Sequence, residues 1–68
     1  MPRYFFDVVN GHRLADPAGL DCRSADEAQR QGQVIAAQIA QEVPMSVAKR
    51  HVVIRDENGQ EIATILVG

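Results

Sequence analysis

Short β-branched and aromatic apolar runs stand at both ends of this chain, and apolar residues recur at helical spacing in the middle. Residues 3–9, RYFFDVV, are aromatic and β-branched, the composition of a strand, and Asn10-Gly11 behind them is a strong hairpin signal. A short return strand is expected over residues 12–15. A two-residue loop would pair Val8 with Arg13, whereas a three-residue loop with a glycine bulge would pair Val8 with Leu14. The second is preferred, because it sets Leu14 beside Tyr4, Phe6 and Val8. That face of the first strand carries no charge, while Asp7 lies on the other.

Asp16-Pro17-Ala18-Gly19 reads as a type I turn: the aspartate bonds back to the backbone, the proline presets φ, and glycine closes. Leu20 and Cys22 fit a brief extended stretch. Ser24-Ala25-Asp26-Glu27 has the form of a capping box, which starts a helix near residue 25. At 100° per residue, Ala25, Ala28, Gly32, Ile35, Ala36, Ile39 and Val43 fall in one stripe. Asp26, Arg30, Gln33 and Gln41 lie away from it, and Val34 and Ala37 point outward. Gly32 costs about 1 kcal/mol relative to alanine inside a helix, which close approach to a sheet would explain. The helix is expected to finish before Pro44, since the residue before a proline leaves the α region. Pro44 to Lys49 then connect it to a final hairpin.

In that hairpin, RHVVIRDENGQEIATILVG, a two-residue type I′ loop at Asn58-Gly59 pairs Ile54 with Ala63 and Val52 with Ile65. On the opposite face it pairs Val53 with Thr64 and Arg55 with Ile62. The reading is an α+β fold of order ββαββ: an antiparallel sheet of two hairpins with a single helix packed on one face. The hairpins can meet along their first and last strands, but the pattern leaves strand order open.

One helix covers one sheet face. Val52, Ile54, Ala63, Ile65 and Val67 take the covered side, and Phe5, Val9, Val53, Ile62 and Leu66 are expected to gather as an apolar patch on the other. This patch is the expected partner interface. A symmetric homodimer, formed by stacking these faces or joining edge strands, is its simplest occupant, and a heteromeric protein is the rival.

Size sharpens the point. A single domain of 68 residues is near the lower limit for a fold held by one core. The aromatic residues, Tyr4, Phe5 and Phe6, all stand at the start, so that segment is expected to anchor it. A lone cysteine, Cys22, excludes an internal disulfide and favours a reducing cytoplasm. The opening MPRYFFDVV is charged by position 3 and lacks the apolar run of a signal peptide, and no segment is long enough to span a membrane. Net charge is −2, and the acidic balance argues against broad electrostatic binding to nucleic acid.

Pro2-Arg3-Tyr4-Phe5-Phe6, the Asn10-Gly11 turn, Asp16-x-x-Gly19, Ser24-x-x-Glu27-Ala28 and Asp56-Glu57-x-Gly59 together resemble a family of short bacterial proteins. That family is known mainly as a domain of unknown function, frequent in soil and plant-associated proteobacteria. The likeness covers nearly the whole chain and implies a fold. It brings no catalytic or binding residue. Asn-Gly stands in the first turn where other members often have Asp-Gly, a near equivalent.

His12, His51, Asp7, Asp16, Asp56 and Cys22 are the residues that invite chemistry, and none has ligand spacing. Both histidines read as surface or strand residues, and Cys22 as a buried inert thiol. Gly11 and Gly59 are turn glycines, not a phosphate loop. Arg3, Arg13, Lys49, Arg50 and Arg55 with Tyr4 or Phe5 suggest a nucleic-acid-binding sheet, but Asp7, Asp56, Glu57 and Glu61 on the same hairpins oppose it. The expectation is a small, non-catalytic, cytoplasmic interaction or accessory module with no cofactor or metal and no catalytic residue. A regulatory nucleic-acid-binding protein is the alternative, and an enzyme built across a dimer from His51 and a carboxylate stands third.

Overall fold

The computed structural model describes residues 2–42 and 50–67, in which the strand-forming ends of the chain meet in a five-stranded antiparallel sheet and the helical middle packs on one face. In chain order the elements are β1 (Arg3–Asn10), β2 (His12–Leu14), β3 (Leu20–Asp21), α1 (Ala25–Glu42), β4 (His51–Arg55) and β5 (Glu61–Leu66). The α+β class and the ββαββ order are as expected, with the extended stretch at Leu20 forming a short extra strand. The sheet order is β2-β1-β4-β5, and β3 pairs the start of β1. The hairpins therefore meet through β1 and β4, the first strand of each, and β5 lies at the rim. No helix among the described residues is long and apolar enough to cross a membrane.

β1 presents Tyr4 and Phe6 to the helix, β4 presents Val52 and Ile54, and all four are buried with Cys22, Ala28 and Ala36. Phe5, between the two buried aromatics, faces the other way, as strand alternation requires. The helix starts where the capping residues place it. The Ser24 hydroxyl accepts from the Glu27 N–H at 3.2 Å, while Glu27 Oε1 reaches the Arg23 N–H at 3.2 Å, one residue earlier than the standard box. Of the expected stripe, Ala28, Gly32 and Ala36 are buried, Ile35 and Ile39 half-buried, and Ala25 exposed in the first turn. Val43 and the connection from Pro44 to Lys49 lie outside the described residues. A Cβ added at Gly32 would lie 2.7 Å from Ile65 Cδ1 and 2.8 Å from Ile54 Cδ1, so glycine at this position lets the helix approach β4 and β5.

Val8 pairs with Leu14, the preferred register of the first hairpin. Leu14 is nonetheless 66% exposed, because α1 rests on β4 and β5 and does not reach β2. The second hairpin departs from expectation at its turn. Asp56 N–H donates to Gln60 O at 2.9 Å and Gly59 N–H to Asp56 O at 3.0 Å, and only Gly59 has positive φ. This is a three-residue loop ending in a glycine bulge, not a two-residue type I′ turn. Asp56 Oδ1 fixes it by accepting from the Asn58 and Gln60 amides, both at 2.9 Å. Arg55 consequently pairs with Glu61, not Ile62, and a shift between Ile54 and Arg55 restores Ile54–Ala63 and Val52–Ile65. Ile62 is the extra residue of the bulge, and it packs with Ala63 against the core.

Candidate functional site

The sheet face turned away from the helix carries Arg3, Phe5, Asp7 and Val9 on β1, Arg13 on β2, His51, Val53 and Arg55 on β4, and Glu61, Thr64 and Leu66 on β5. Its centre is Asp7, 1% exposed. The antiparallel pairing of β1 with β4 sets Asp7 opposite Val53 and diagonal to Arg55. Arg55 donates Nε to Oδ2 at 2.8 Å and Nη2 to Oδ1 at 3.1 Å, a two-pronged clamp. Arg13 approaches from β2 with Nε at 3.0 Å and Nη2 at 2.9 Å from Oδ2, and its Nη1 reaches Glu61 on β5 at 3.3 Å. The Arg13 guanidinium thus bridges Asp7 on β1 and Glu61 on β5.

The Asp16 turn completes the roof. Asp16 N–H donates to Asp7 Oδ1 at 3.0 Å, and Asp16 Oδ2 accepts the Phe6 N–H at 3.3 Å in the gap between β3 and β2 along the edge of β1. Asp16 Oδ1 also accepts from the Ala18 and Gly19 amides, both at 3.1 Å, the back-bonding its sequence predicts. Gly19, at φ +74, lies so close that a Cβ there would stand 2.7 Å from Arg3 Cγ and 2.9 Å from Phe5 Cε2. Arg3 bonds Ala18 O at 2.9 Å and Asp21 at 3.2 Å, holding the turn down, and the Arg55 guanidinium lies 5.2 Å from the centre of the Phe5 ring.

Burial pushes the Asp7 carboxyl up, but the hydrogen bonds from Arg55, the Asp16 amide and Arg13, with the Arg55 charge, outweigh it and leave the pKa below its ordinary value. Asp7 is thus a hub whose carboxylate oxygens are both hydrogen-bonded and whose charged form is favoured. Burial raises the Cys22 thiol pKa, with Glu27 and Asp21 adding to the effect, and this disfavours the nucleophilic thiolate. His12 is exposed at the first hairpin turn and His51 is half-buried on the sheet face. Among the described residues no three His, Cys, Asp or Glu side chains group as metal ligands.

The five residues expected to form one apolar patch are dispersed. Phe5 lies under Arg55 and the Gly19 turn, Val53 is 4% exposed, and Ile62 belongs to the opposite side. Val9 is half-buried, and Leu66, at 77%, is the one that is open. The physical reason is strand order, which the residue pattern leaves open: it brings Asp7, Arg13 and Arg55 together on this face as a lid. Three of the arginines that suggested nucleic acid face carboxylates: Arg3 faces Asp21, and Arg13 and Arg55 face Asp7, with Arg13 also on Glu61. Lys49 lies outside the described residues.

Fold and site together define a small α+β domain whose second sheet face is closed by an internal ion network. Residues 3–68 match the family described as a domain of unknown function, DUF6894, and the chain belongs to that family. Comparisons with curated proteins and with solved structures find no match.

Proposed function

We propose that this protein is a small, non-catalytic interaction module of a bacterial cytoplasm that acts as a homodimer. Its binding surface is the β5 rim around Leu66, not the ion-paired centre of the sheet face. The observation that carries this reading is the 77% exposure of Leu66 on an outermost strand, while the rest of the expected patch is covered within the chain. A non-catalytic role is supported by the saturation of Asp7 and the burial of Cys22, which leave neither poised for proton transfer or attack.

Sedimentation at micromolar concentration is expected to give a dimer, and a strict monomer would count against the reading. The nucleic-acid alternative takes second place because Arg3, Arg13 and Arg55 already face carboxylates. On a polyanion column the protein is expected to flow through at low salt. Retention that elutes with a steep salt dependence would promote the alternative.

A further inference from the structure

Resting on that reading, we infer that β5 pairs antiparallel with β5 of a second copy, about a twofold axis through Ile65. Val67 N–H donates to Arg50 O at 3.0 Å, and the ladder pairs Ile65 with Val52 and Ala63 with Ile54. Hydrogen bonds alternate along an antiparallel edge, so Ala63, Ile65 and Val67 face β4 while the N–H and C=O of Thr64 and Leu66 point outward. A twofold axis at Ile65 sets Thr64 of each copy opposite Leu66 of the other. All four outward groups of each strand then find partners. The side-chain faces agree as well: Thr64 meets Leu66 on the arginine side, and Ala63 meets Val67 on the helix side.

The two edges of the sheet differ in how they resist such pairing. The β1 edge is broken into β2 and β3, both short, with Asp16 plugging the gap and Pro17 in the turn between them. Residues 63–67, ATILV, carry no charge and no proline. An edge left without these guards suits a strand that is already paired. Charge does not oppose a second copy. The bulge at Ile62 ends the regular edge before Glu61, and the symmetric register leaves the two Glu61 residues roughly 26 Å apart along the strands.

The test follows the outward amides by hydrogen exchange while association is followed by sedimentation. The wild-type chain should dimerise, with the Thr64 and Leu66 amides gaining protection in proportion to the dimer fraction. Thr64→Pro removes an outward N–H without touching the β4 ladder. It should keep the wild-type circular dichroism spectrum and weaken association on the order of a hundredfold. Leu66→Lys, which retains the backbone, should weaken it in the same direction. A dimer whose Thr64 and Leu66 amides stay unprotected, or which survives both substitutions, would overturn the edge pairing and leave self-association standing. A monomer at every concentration would overturn both.

Discussion

The two faces of the sheet are closed by different physics. On the helix side, Val52 and Ile54 are wholly buried among Tyr4, Phe6, Ala28 and Ala36, and complementary shape supplies the stability. On the other side the buried side chains are Val53 and the Asp7 carboxylate, on which Arg55 and the more exposed Arg13 converge. An apolar face works in any combination that fills the volume, whereas an ion network works only when each member is in place. The described residues hold one helix, which covers one sheet face, and the Asp7 network lies on the other.

The sharpest way to break this comparison is to remove one group from each side. Asp7→Ala leaves Arg13, Arg55 and the Asp16 amide without their acceptor and is expected to cost about 3–5 kcal/mol. Ile54→Ala deletes fully buried methyl groups and should cost about 2–5 kcal/mol. Urea denaturation will show both. Replacing Asp7, Arg13 and Arg55 together by apolar residues separates the two mechanisms, since a whole network can be exchanged for packing at little cost in stability. The triple variant is expected to be far more stable than Asp7→Ala, and to aggregate, because it would create the patch that the natural sequence avoids. A triple variant as unstable as Asp7→Ala would mean that the face is not defined by its charges.

Acid distinguishes the faces without mutation. The folded-state pKa of Asp7 lies below its ordinary value of 3.8, so the unfolded chain binds this proton more readily than the folded one. Its stabilising contribution is therefore fully present above pH 3.8 and is lost as pH falls through the folded-state value. The stability of Ile54→Ala should fall with acid in parallel with the wild type, and that of Asp7→Asn should fall less steeply. Parallel profiles for all three would assign the acid sensitivity to other carboxylates.

This contrast also explains which features the sequence reveals. The helix stripe from Ala28 to Ile39, the cap at Ser24 and the glycine bulge of the first hairpin depend on neighbours within a few residues, and these stand where the pattern puts them. The ion network depends on which strands adjoin. Asp7 is diagonal to Arg55 only because β1 pairs with β4, and no periodicity encodes that order. A lone aspartate inside YFFDVV is the available signal, and strand alternation gives its face but not its partners. The second hairpin shows a subtler case. A three-residue loop at Glu57-Asn58-Gly59 and a bulge at Ile62 shift the register in opposite senses, so the expected Ile54–Ala63 pair is found although the expected turn is not. Arg55 and Ile62, between the two shifts, are the residues misplaced.

The Asp16 turn is the next point of comparison, because its glycine is fixed both by backbone and by contact. Gly11→Ala and Gly19→Ala both demand a side chain at positive φ, but nothing lies within 4 Å of Gly11, whereas Gly19 abuts Arg3 and Phe5. Gly11→Ala is expected to cost about 1 kcal/mol and Gly19→Ala about 2–3 kcal/mol. Equal losses in thermal denaturation would show that the turn does not press on Phe5.

The smallest effect tests the helix side alone. Gly32→Ala gains about 1 kcal/mol of helix propensity and adds a methyl group 2.7 Å from Ile65 Cδ1 and 2.8 Å from Ile54 Cδ1. Both obstructing atoms end flexible side chains, but Ile54 is fully buried with little room to turn, and overpacking costs about 1–3 kcal/mol. The expected net is a loss of about 1 kcal/mol. Ile54→Val removes the Cδ1 that the new methyl meets, so Gly32→Ala should cost less in that background, with a coupling of about 0.5–1 kcal/mol in a double-mutant cycle. Strict additivity would mean that the helix simply lifts from the sheet, and that the tight contact at Gly32 contributes little to the closure of the apolar face.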